Sequence, residues 1–239
     1  RDGVEEPVRI MLRPLLAMPE QLSYVDHVCL KLAEALKRMP ALYLEDEQVR
    51  RILAITPEED QWLRDIWTPQ HHHLNPLYGR LDAVCDFTSS TWQESLLFLE
   101  PNLSGVGGIH YAPLAEELVM RDVVPTLLAQ DPELDIELPR DQRELFLQVL
   151  IDHARAIGRK SVHLCLVEPK YSHDGPNEQS ILKQHLSERH GMTIVHADPR
   201  ELRVEGDEVY YEDVQIDVAY RDYAILDLVA LEREIGKPL

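Results

Sequence analysis

Helix and strand patterns alternate along the second half of the sequence, and this alternation constrains the fold more than any other feature. Apolar residues recur at helical spacing over 139–157, and Gly158 follows as the expected helix-ending residue. The apolar run 161–167 comes next, followed by a helix predicted over 179–190 and a short strand at 193–195. Helices and strands in this order are typical of a parallel α/β layer. The sequence therefore predicts a mixed α/β (α+β) fold.

The first 70 residues predict helices alone, in a small helical cap. Apolar residues at three- and four-residue steps indicate an amphipathic helix over 19–38, with Pro40 just beyond its end. A short helix is predicted over 45–55. The segment 56–59 combines an N-cap Thr, a Pro at the first helical position and a Glu that completes a capping box, so another helix begins there.

Two polar motifs lie on neighbouring segments that predict a β-hairpin. The motif 80–82 (Arg-Leu-Asp) begins one apolar-rich strand, and the motif 100–102 (Glu-Pro-Asn) ends another, with the polar turn 88–91 between them. In a strand, residues two apart point to the same face. Pairing of the strands would therefore bring four polar side chains to one surface: Arg80, Asp82, Glu100 and Asn102.

These four side chains suit the chemistry of ATP, although the sequence contains no Walker loop. Carboxylate and amide oxygens are ligands that Mg²⁺ prefers, and an Arg beside them neutralises charge on a transferring phosphoryl group. The alternative is a surface hairpin whose Arg and acids form ordinary salt bridges.

The paired motif resembles the R-x-D and E-x-N strands of the circularly permuted ATP-grasp ligases, including the glutathionylspermidine-synthase-like group. The resemblance implies that Asp82, Glu100 and Asn102 hold Mg²⁺. It also implies that Arg80 is catalytic and contacts the reacting phosphoryl group of ATP. Residues 161–221 are similar to the Rossmann-like pre-ATP-grasp segment of that family, which typically ends in a V-D-x-x-Y-R element.

The resemblance covers the chain from residue 74 to its end and suggests three parts. Residues 1–70 form the helical N-terminal region, and 71–135 form the permuted ATP-grasp segment with an antiparallel metal-site hairpin. Residues 136–239 form the Rossmann-like pre-ATP-grasp α/β domain. The loop after the E-x-N motif and the long spacing between the two motifs depart from the family pattern, so the substrate is left open.

The resemblance implies an ATP-dependent carboxylate–amine ligase that forms an amide bond through an acyl-phosphate intermediate, with ATP and Mg²⁺ as cofactors. Its partners would be a small-molecule carboxylate and an amine. The nucleotide-binding lobe of such an enzyme is expected beyond Leu239, so this part alone is expected to be inactive. The alternative is a non-catalytic module, derived from a ligase half, that binds a small ligand or interacts with another molecule.

The glycine-rich segment 105–108 follows a predicted strand and precedes a predicted helix, a context that suits phosphate binding at a helix N-terminus. We expect Gly105 and Gly107 to lie at the cofactor site in a loop that shapes the acceptor pocket, with His110 near the substrate. The spacing does not match G-x-G-x-x-G, because His110 occupies the sixth position. A dinucleotide site is therefore disfavoured.

Two further substrate contacts are predicted in the α/β region. The loop 168–178, which contains Asn177, follows a predicted parallel strand, and ligands bind beside such strand ends. Arg221 follows an apolar strand and is suited to a bidentate contact with a carboxylate. The alternatives are an ordinary surface loop around Asn177, and an ion pair of Arg221 with Asp222 or Asp227.

The histidines and cysteines do not form a recognisable metal or disulfide framework. The consecutive histidines 71–73 predict a solvated loop, because zinc ligands are usually spaced by two or more residues. Cys29, Cys85 and Cys165 are odd in number, widely spaced and set in apolar stretches. This pattern predicts buried free thiols in a reducing cytoplasm.

Charge excludes several classes of partner. The chain has 24 basic and 43 acidic residues, a net charge of −19, which argues against nucleic acid or an anionic membrane as the main partner.

No apolar run is long enough to span a bilayer, and the sequence carries no secretory signal pattern. The sequence therefore predicts a cytoplasmic protein and leaves its oligomeric state open.

Overall fold

The computed structural model describes residues 9–11, 13–74, 76–171 and 178–236. These residues form helices and three small β-sheets, so the predicted mixed α/β class is confirmed. Among the described helices, none has the length and apolar character needed to cross a membrane. The helices are α1 (Pro19–Glu45), α2 (Glu47–Leu53), α3 (Pro57–Ile66), α4 (His71–Leu74), α5 (Trp92–Ser95), α6 (Tyr111–Asp122), α7 (Val124–Gln130), α8 (Gln142–Ala156), α9 (Glu178–His190) and α10 (Ile225–Ile235).

The strands of the described residues form one parallel and two antiparallel sheets. They are β1 (Arg80–Val84), β2 (Leu97–Asn102), β3 (Leu164–Val167), β4 (Ile194–Ala197), β5 (Leu202–Glu205), β6 (Glu208–Tyr211), β7 (Val214–Ile216) and β8 (Val218–Arg221). The parallel sheet has the strand order β4-β3-β8, which confirms the predicted parallel layer. The antiparallel sheets are the β1-β2 pair and the meander β5-β6-β7.

The central strand β3 organises the hydrophobic core because it is buried on both faces. All four of its residues are buried. On one face Leu164 and Leu166 pack in a cluster with buried side chains of α8 and α9. On the other face Cys165 and Val167 pack against the meander β5-β6-β7. A strand covered on both sides needs apolar residues at successive positions, and the run Leu-Cys-Leu-Val supplies them.

The burial predicted for the three cysteines holds for one of them only. All three are free thiols, but Cys29 and Cys85 are half-buried, whereas Cys165 is buried in the core. Burial raises the pKa of the Cys165 thiol to about 12. Cys165 is therefore protonated and packs as a small apolar side chain.

The first helix continues past its predicted end at Arg38. Helix α1 runs to Glu45 and contains Pro40. Proline removes one helical hydrogen bond, but tertiary contacts hold the turn that follows it. Tyr43 is buried, and its hydroxyl donates to a carboxylate oxygen of Asp60 in α3 at 2.8 Å. The predicted helix end is wrong because packing against α3 outweighs the local effect of proline.

Most other helix boundaries agree with the sequence signals. Thr56 caps α3, and Glu59 completes the capping box with it. Helix α6 ends at Asp122 and α7 begins at Val124, with Pro125 in the first turn of α7, where proline is tolerated. Periodicity does not predict α4 or α5, because a single turn is too short to show a repeat. The histidines 71–73 therefore begin a short helix instead of the predicted loop.

The glycine-rich loop 105–108 is attached to the parallel sheet by Tyr220 of β8. The backbone amide of Val106 donates to the Tyr220 hydroxyl at 3.1 Å, and both residues are buried. The Tyr220 ring packs edge-to-face on Phe146 of α8, with the ring centroids 4.9 Å apart. Burial raises the pKa of the Tyr220 phenol, so the hydroxyl stays protonated. The loop is thereby fixed to the core.

Replacing Tyr220 with Phe tests this attachment. The Val106 amide would remain buried without its acceptor, so the free energy of unfolding should fall by about 1–2 kcal/mol. Urea unfolding followed by circular dichroism measures the change. Tyr210→Phe, at a half-buried position of β6, is the control and should change stability by less than about 0.5 kcal/mol. Equal losses in the two variants would contradict the attachment.

Candidate active site

Strands β1 and β2 pair in the register that the two polar motifs require. Arg80 lies opposite Asn102, and Asp82 lies opposite Glu100. Because residues two apart in a strand share a face, the four side chains occupy one face of the hairpin. The predicted pairing of the strands is confirmed, and the chemical roles of the four residues stay predictions.

Arg80 is held by two partners. Its Nε and Nη2 donate to the two carboxylate oxygens of Asp82 at 2.6 and 3.2 Å, and its Nη1 donates to the carbonyl oxygen of Gly107 at 2.8 Å. The Arg80 guanidinium lowers the pKa of Asp82, and Asp82 in turn raises the pKa of Arg80. Arg80 therefore stays charged and oriented although 49% of its side chain is exposed.

The opposite strand adds a second carboxylate and an amide. Asn102 Nδ2 donates to Glu100 Oε1 at 3.4 Å, and the Asn102 amide also helps to lower the pKa of Asp82. The described residues contain no cluster of three or more His, Cys, Asp or Glu side chains that could hold a metal ion. Two carboxylates and one amide oxygen suit Mg²⁺, which keeps several waters and substrate oxygens in its shell, better than they suit Zn²⁺.

An apolar groove of about 370 Å³ lies on the other side of the hairpin. Its walls include Leu30 and Leu36 of α1, Leu81 of β1, and Leu103. Leu81 alternates with Arg80 along β1, so the groove and the polar side chains face opposite ways. The groove is therefore separate from the candidate active site.

The start of α6 is occupied by a carboxylate of the protein. Glu178 accepts hydrogen bonds from the backbone amides of Gly108 at 2.8 Å, His110 at 2.7 Å and Tyr111 at 3.2 Å. Glu178 is 7% exposed, and its negative charge suits the helix N-terminus. A nucleotide contact by Gly105 and Gly107 stays a prediction, but these three amides already have a partner.

Gly105, at the other end of the loop, packs against Asp222. Gly105 has a φ of 61°, and a Cβ at this position would lie 2.9 Å from Asp222 Oδ1. Gln179, which is 2% exposed, donates to Asp222 Oδ2 at 2.6 Å. Burial raises the pKa of Asp222, and the neighbouring carboxylates of Glu168 and Glu178 raise it further. Asp222 is therefore a shielded acid that contacts the glycine-rich loop.

His110 lies in the interior, directly before the first residue of α6. It is 7% exposed, and its ring meets the ring of His185 in α9 with the centroids 5.5 Å apart. Burial lowers the pKa of His110, and Arg143 and His185 lower it further. The substrate contact predicted for His110 stays a prediction, and in the structure its ring packs against His185 of α9.

Arg221 does not form the ion pair that the sequence leaves open. Within the described residues, its guanidinium pairs with neither Asp222 nor Asp227, and its Nη1 is buried without a hydrogen-bond partner. The guanidinium lies over the rings of Trp62 and Tyr223, 5.7 and 5.4 Å from their centroids. A cation with a free donor between aromatic rings suits a carboxylate ligand. The predicted contact Asn177 lies outside the described residues.

The sequence does not single out the residues that hold the glycine-rich loop. Glu178 and Gln179 look like ordinary first-turn residues of a helix, and Tyr220 looks like a core residue of β8. The only signal for them is indirect. A polar side chain at the start of a helix can form hydrogen bonds with the unpaired backbone amides at the start of another helix.

Comparison with known proteins adds no relative. No family model matches the chain, and no curated protein shows significant sequence similarity to it. The resemblance to the ATP-grasp ligases therefore rests on the motifs and their geometry.

The raised pKa of Asp222 predicts a pH-dependent gain in stability for Asp222→Asn. An acid whose pKa is raised on folding destabilises the protein as pH rises from its ordinary pKa of 3.8 through the raised value. The Asn variant should therefore unfold at a higher urea concentration than the wild type at pH 7, and this gain should vanish towards pH 4.

The matched control for this prediction is Asp213→Asn, in the exposed turn between β6 and β7. Urea midpoints of both variants and the wild type would be measured from pH 4 to pH 7.5. A gain for Asp222→Asn that is the same at every pH would mean that the change acts through packing instead of charge.

Proposed function

We propose that this chain is part of an ATP-dependent carboxylate–amine ligase of the ATP-grasp type, with ATP and Mg²⁺ as cofactors. The observation that supports this best is the register of the hairpin, which sets Arg80 opposite Asn102 and Asp82 opposite Glu100. One guanidinium, two carboxylates and one amide on a single accessible face are the groups needed to bind a metal–phosphate unit.

In this proposal Arg80 stabilises the transferred phosphoryl group. Its guanidinium is already oriented by Asp82 and Gly107, so little reorganisation accompanies the reaction. The γ-phosphoryl group of ATP passes to a carboxylate oxygen of the substrate, which gives ADP and an acyl phosphate. The amine then attacks the acyl carbon, inorganic phosphate leaves, and the amine loses a proton as the amide forms.

The metal ligands in this proposal are Asp82, Glu100 and Asn102. When bound there, Mg²⁺ would neutralise charge on the phosphate oxygens. Because the neighbouring guanidinium lowers the pKa of Asp82, that carboxylate is ionised at neutral pH and ready to bind a cation. Asp82 would then share its oxygens between Arg80 and the metal.

For the substrates we propose a small-molecule carboxylate and an amine. Arg221 is the proposed carboxylate contact, because its Nη1 has no partner among the described residues. Gly105 and Gly107 lie in the loop beside Arg80 and would shape the acceptor side. The net charge of −19 disfavours nucleic acid as a substrate.

The proposed architecture follows the same division. Residues 71–135 would be the permuted ATP-grasp segment, 136–239 the Rossmann-like pre-ATP-grasp domain, and 1–70 a helical cap. The parallel strands β4-β3-β8, flanked by α8 and α9, are compatible with this assignment. Such an enzyme also needs a nucleotide-binding lobe in addition to the described elements. We propose that the protein is cytoplasmic.

A second candidate is a non-catalytic module, derived from a ligase, that binds a small ligand. One observation favours it: Arg80 engages both oxygens of Asp82, so the pair is internally satisfied without a metal. The two candidates differ in whether turnover of ATP depends on the hairpin carboxylates.

Glu100→Gln tests the proposed function in the full natural protein. We expect Mg²⁺-dependent release of ADP, measured with panels of carboxylates and amines, to fall by roughly 100-fold or more, because the variant loses a carboxylate that holds the metal–phosphate unit. The free energy of unfolding should change by less than about 0.5 kcal/mol, because Glu100 is exposed.

Glu94→Gln is the matched control, since Glu94 is also exposed and lies on α5 between the two strands. It should leave ADP release unchanged. Binding of ATP and Mg²⁺ by calorimetry, without ADP release under any substrate pair, would favour the non-catalytic candidate. Neither binding nor ADP release in the wild-type protein would sink the proposed function.

A further inference from the structure

One peptide group lies between Arg80 and a buried carboxylate. The carbonyl of Gly107 accepts from Arg80 Nη1 at 2.8 Å. The amide of Gly108 donates to Glu178 Oε2 at 2.8 Å. The Gly107 carbonyl and the Gly108 amide belong to the same planar peptide group, and the described residues contain no cis peptide bond. In a trans peptide these two groups point in opposite directions, so one plane links Glu178 to Arg80.

This peptide group needs an external constraint because it is flanked by two glycines. Gly108 has a φ of 92°, and a Cβ on either glycine would meet nothing within 4 Å. Glycine loses more conformational freedom on folding than any other residue, so a glycine–glycine peptide plane rotates readily. If the plane rotated, the carbonyl of Gly107 would turn away from Arg80. The hydrogen bond to Glu178 opposes that rotation.

Glu178 is itself fixed in the interior by several contacts. The amides of His110 and Tyr111 donate to its other oxygen, Oε1, at 2.7 and 3.2 Å. The carboxylate is close enough to Arg80 and Tyr78 to contribute to the raised pKa of each. Its negative charge therefore acts through space on the Arg80 guanidinium, in addition to the hydrogen bonds that link the two groups through one peptide plane.

We propose that Glu178 is a positioning residue for Arg80, acting through the peptide group between Gly107 and Gly108. This role for Glu178 rests on the proposed function, because the proposed function places the Arg80 guanidinium beside the transferred phosphoryl group. Glu178 does not touch ATP, metal or substrate in this role. It sets the direction in which Arg80 points.

The test is Glu178→Gln in the full natural protein. The Gln side chain still presents one oxygen to His110 and Tyr111, but its Nε2 cannot accept the Gly108 amide. We expect kcat for Mg²⁺-dependent ADP release to fall about 10-fold, with KM for ATP nearly unchanged. A wrongly oriented Arg80 would stabilise the transition state less, whereas binding of ATP in the ground state would change little.

A double-mutant cycle separates positioning from general damage. If Glu178 acts through Arg80, then Glu178→Gln should have no further effect on kcat once Arg80 is Ala. Independent losses that multiply in the double variant would overturn the proposal. Glu188→Gln, at an exposed position of the same helix α9, is the control and should leave kcat unchanged.

Hydrogen exchange gives a readout that does not depend on activity. In Glu178→Gln, amide exchange within 105–111 should accelerate, most strongly at Gly108, while exchange in β3 stays unchanged. Unchanged exchange at Gly108 would overturn the proposal even if turnover falls. If the wild-type protein releases no ADP, the proposed function fails, and accelerated exchange at Gly108 would still support the role of Glu178 in holding the loop.

Discussion

The peptide group between Gly107 and Gly108 is the constraint on which the geometry of the candidate active site depends. On one side it holds Arg80, and on the other it is held by Glu178. Arg80 is long, half-exposed and flexible by nature, so a short bidentate pair with Asp82 would leave its direction only partly fixed. The third contact comes from the carbonyl of Gly107, whose peptide group is held by the buried Glu178, and it fixes the direction of Arg80.

The parallel sheet provides the rigid support for this arrangement. Strand β8 carries Tyr220, which accepts from the Val106 amide, and ends beside Asp222, which packs against Gly105. Helix α9 begins with Glu178, which holds the far end of the loop. A four-residue glycine-rich segment is therefore fixed at its start, middle and end by core elements. The two-stranded hairpin, which has little core of its own, contacts that loop through Arg80 and contacts α1 through the hydrogen bond from Gln21 to the Phe87 carbonyl.

Two acidic groups near the loop, Asp82 and Asp222, have environments that shift their pKa values in opposite directions. Such a contrast is expected at a site that binds charged ligands. Asp82 lies beside a guanidinium that lowers its pKa, whereas burial and neighbouring carboxylates raise the pKa of Asp222. Keeping Asp222 in this position destabilises the fold at neutral pH. Such groups are common at functional sites, where binding or catalysis requires an arrangement that stability alone would not select.

The sequence by itself determined the local features: the capping box at Thr56, the helix that ends before Gly158, and the pairing of the two polar motifs. Each depends on residues within about twenty positions of one another. Only the tertiary structure decided that α1 continues through Pro40, that His110 is buried, and that Glu178 holds the loop. In each of those cases the deciding partner belongs to another helix or loop, and a periodic pattern carries no information about which side chain of another element a given group will contact.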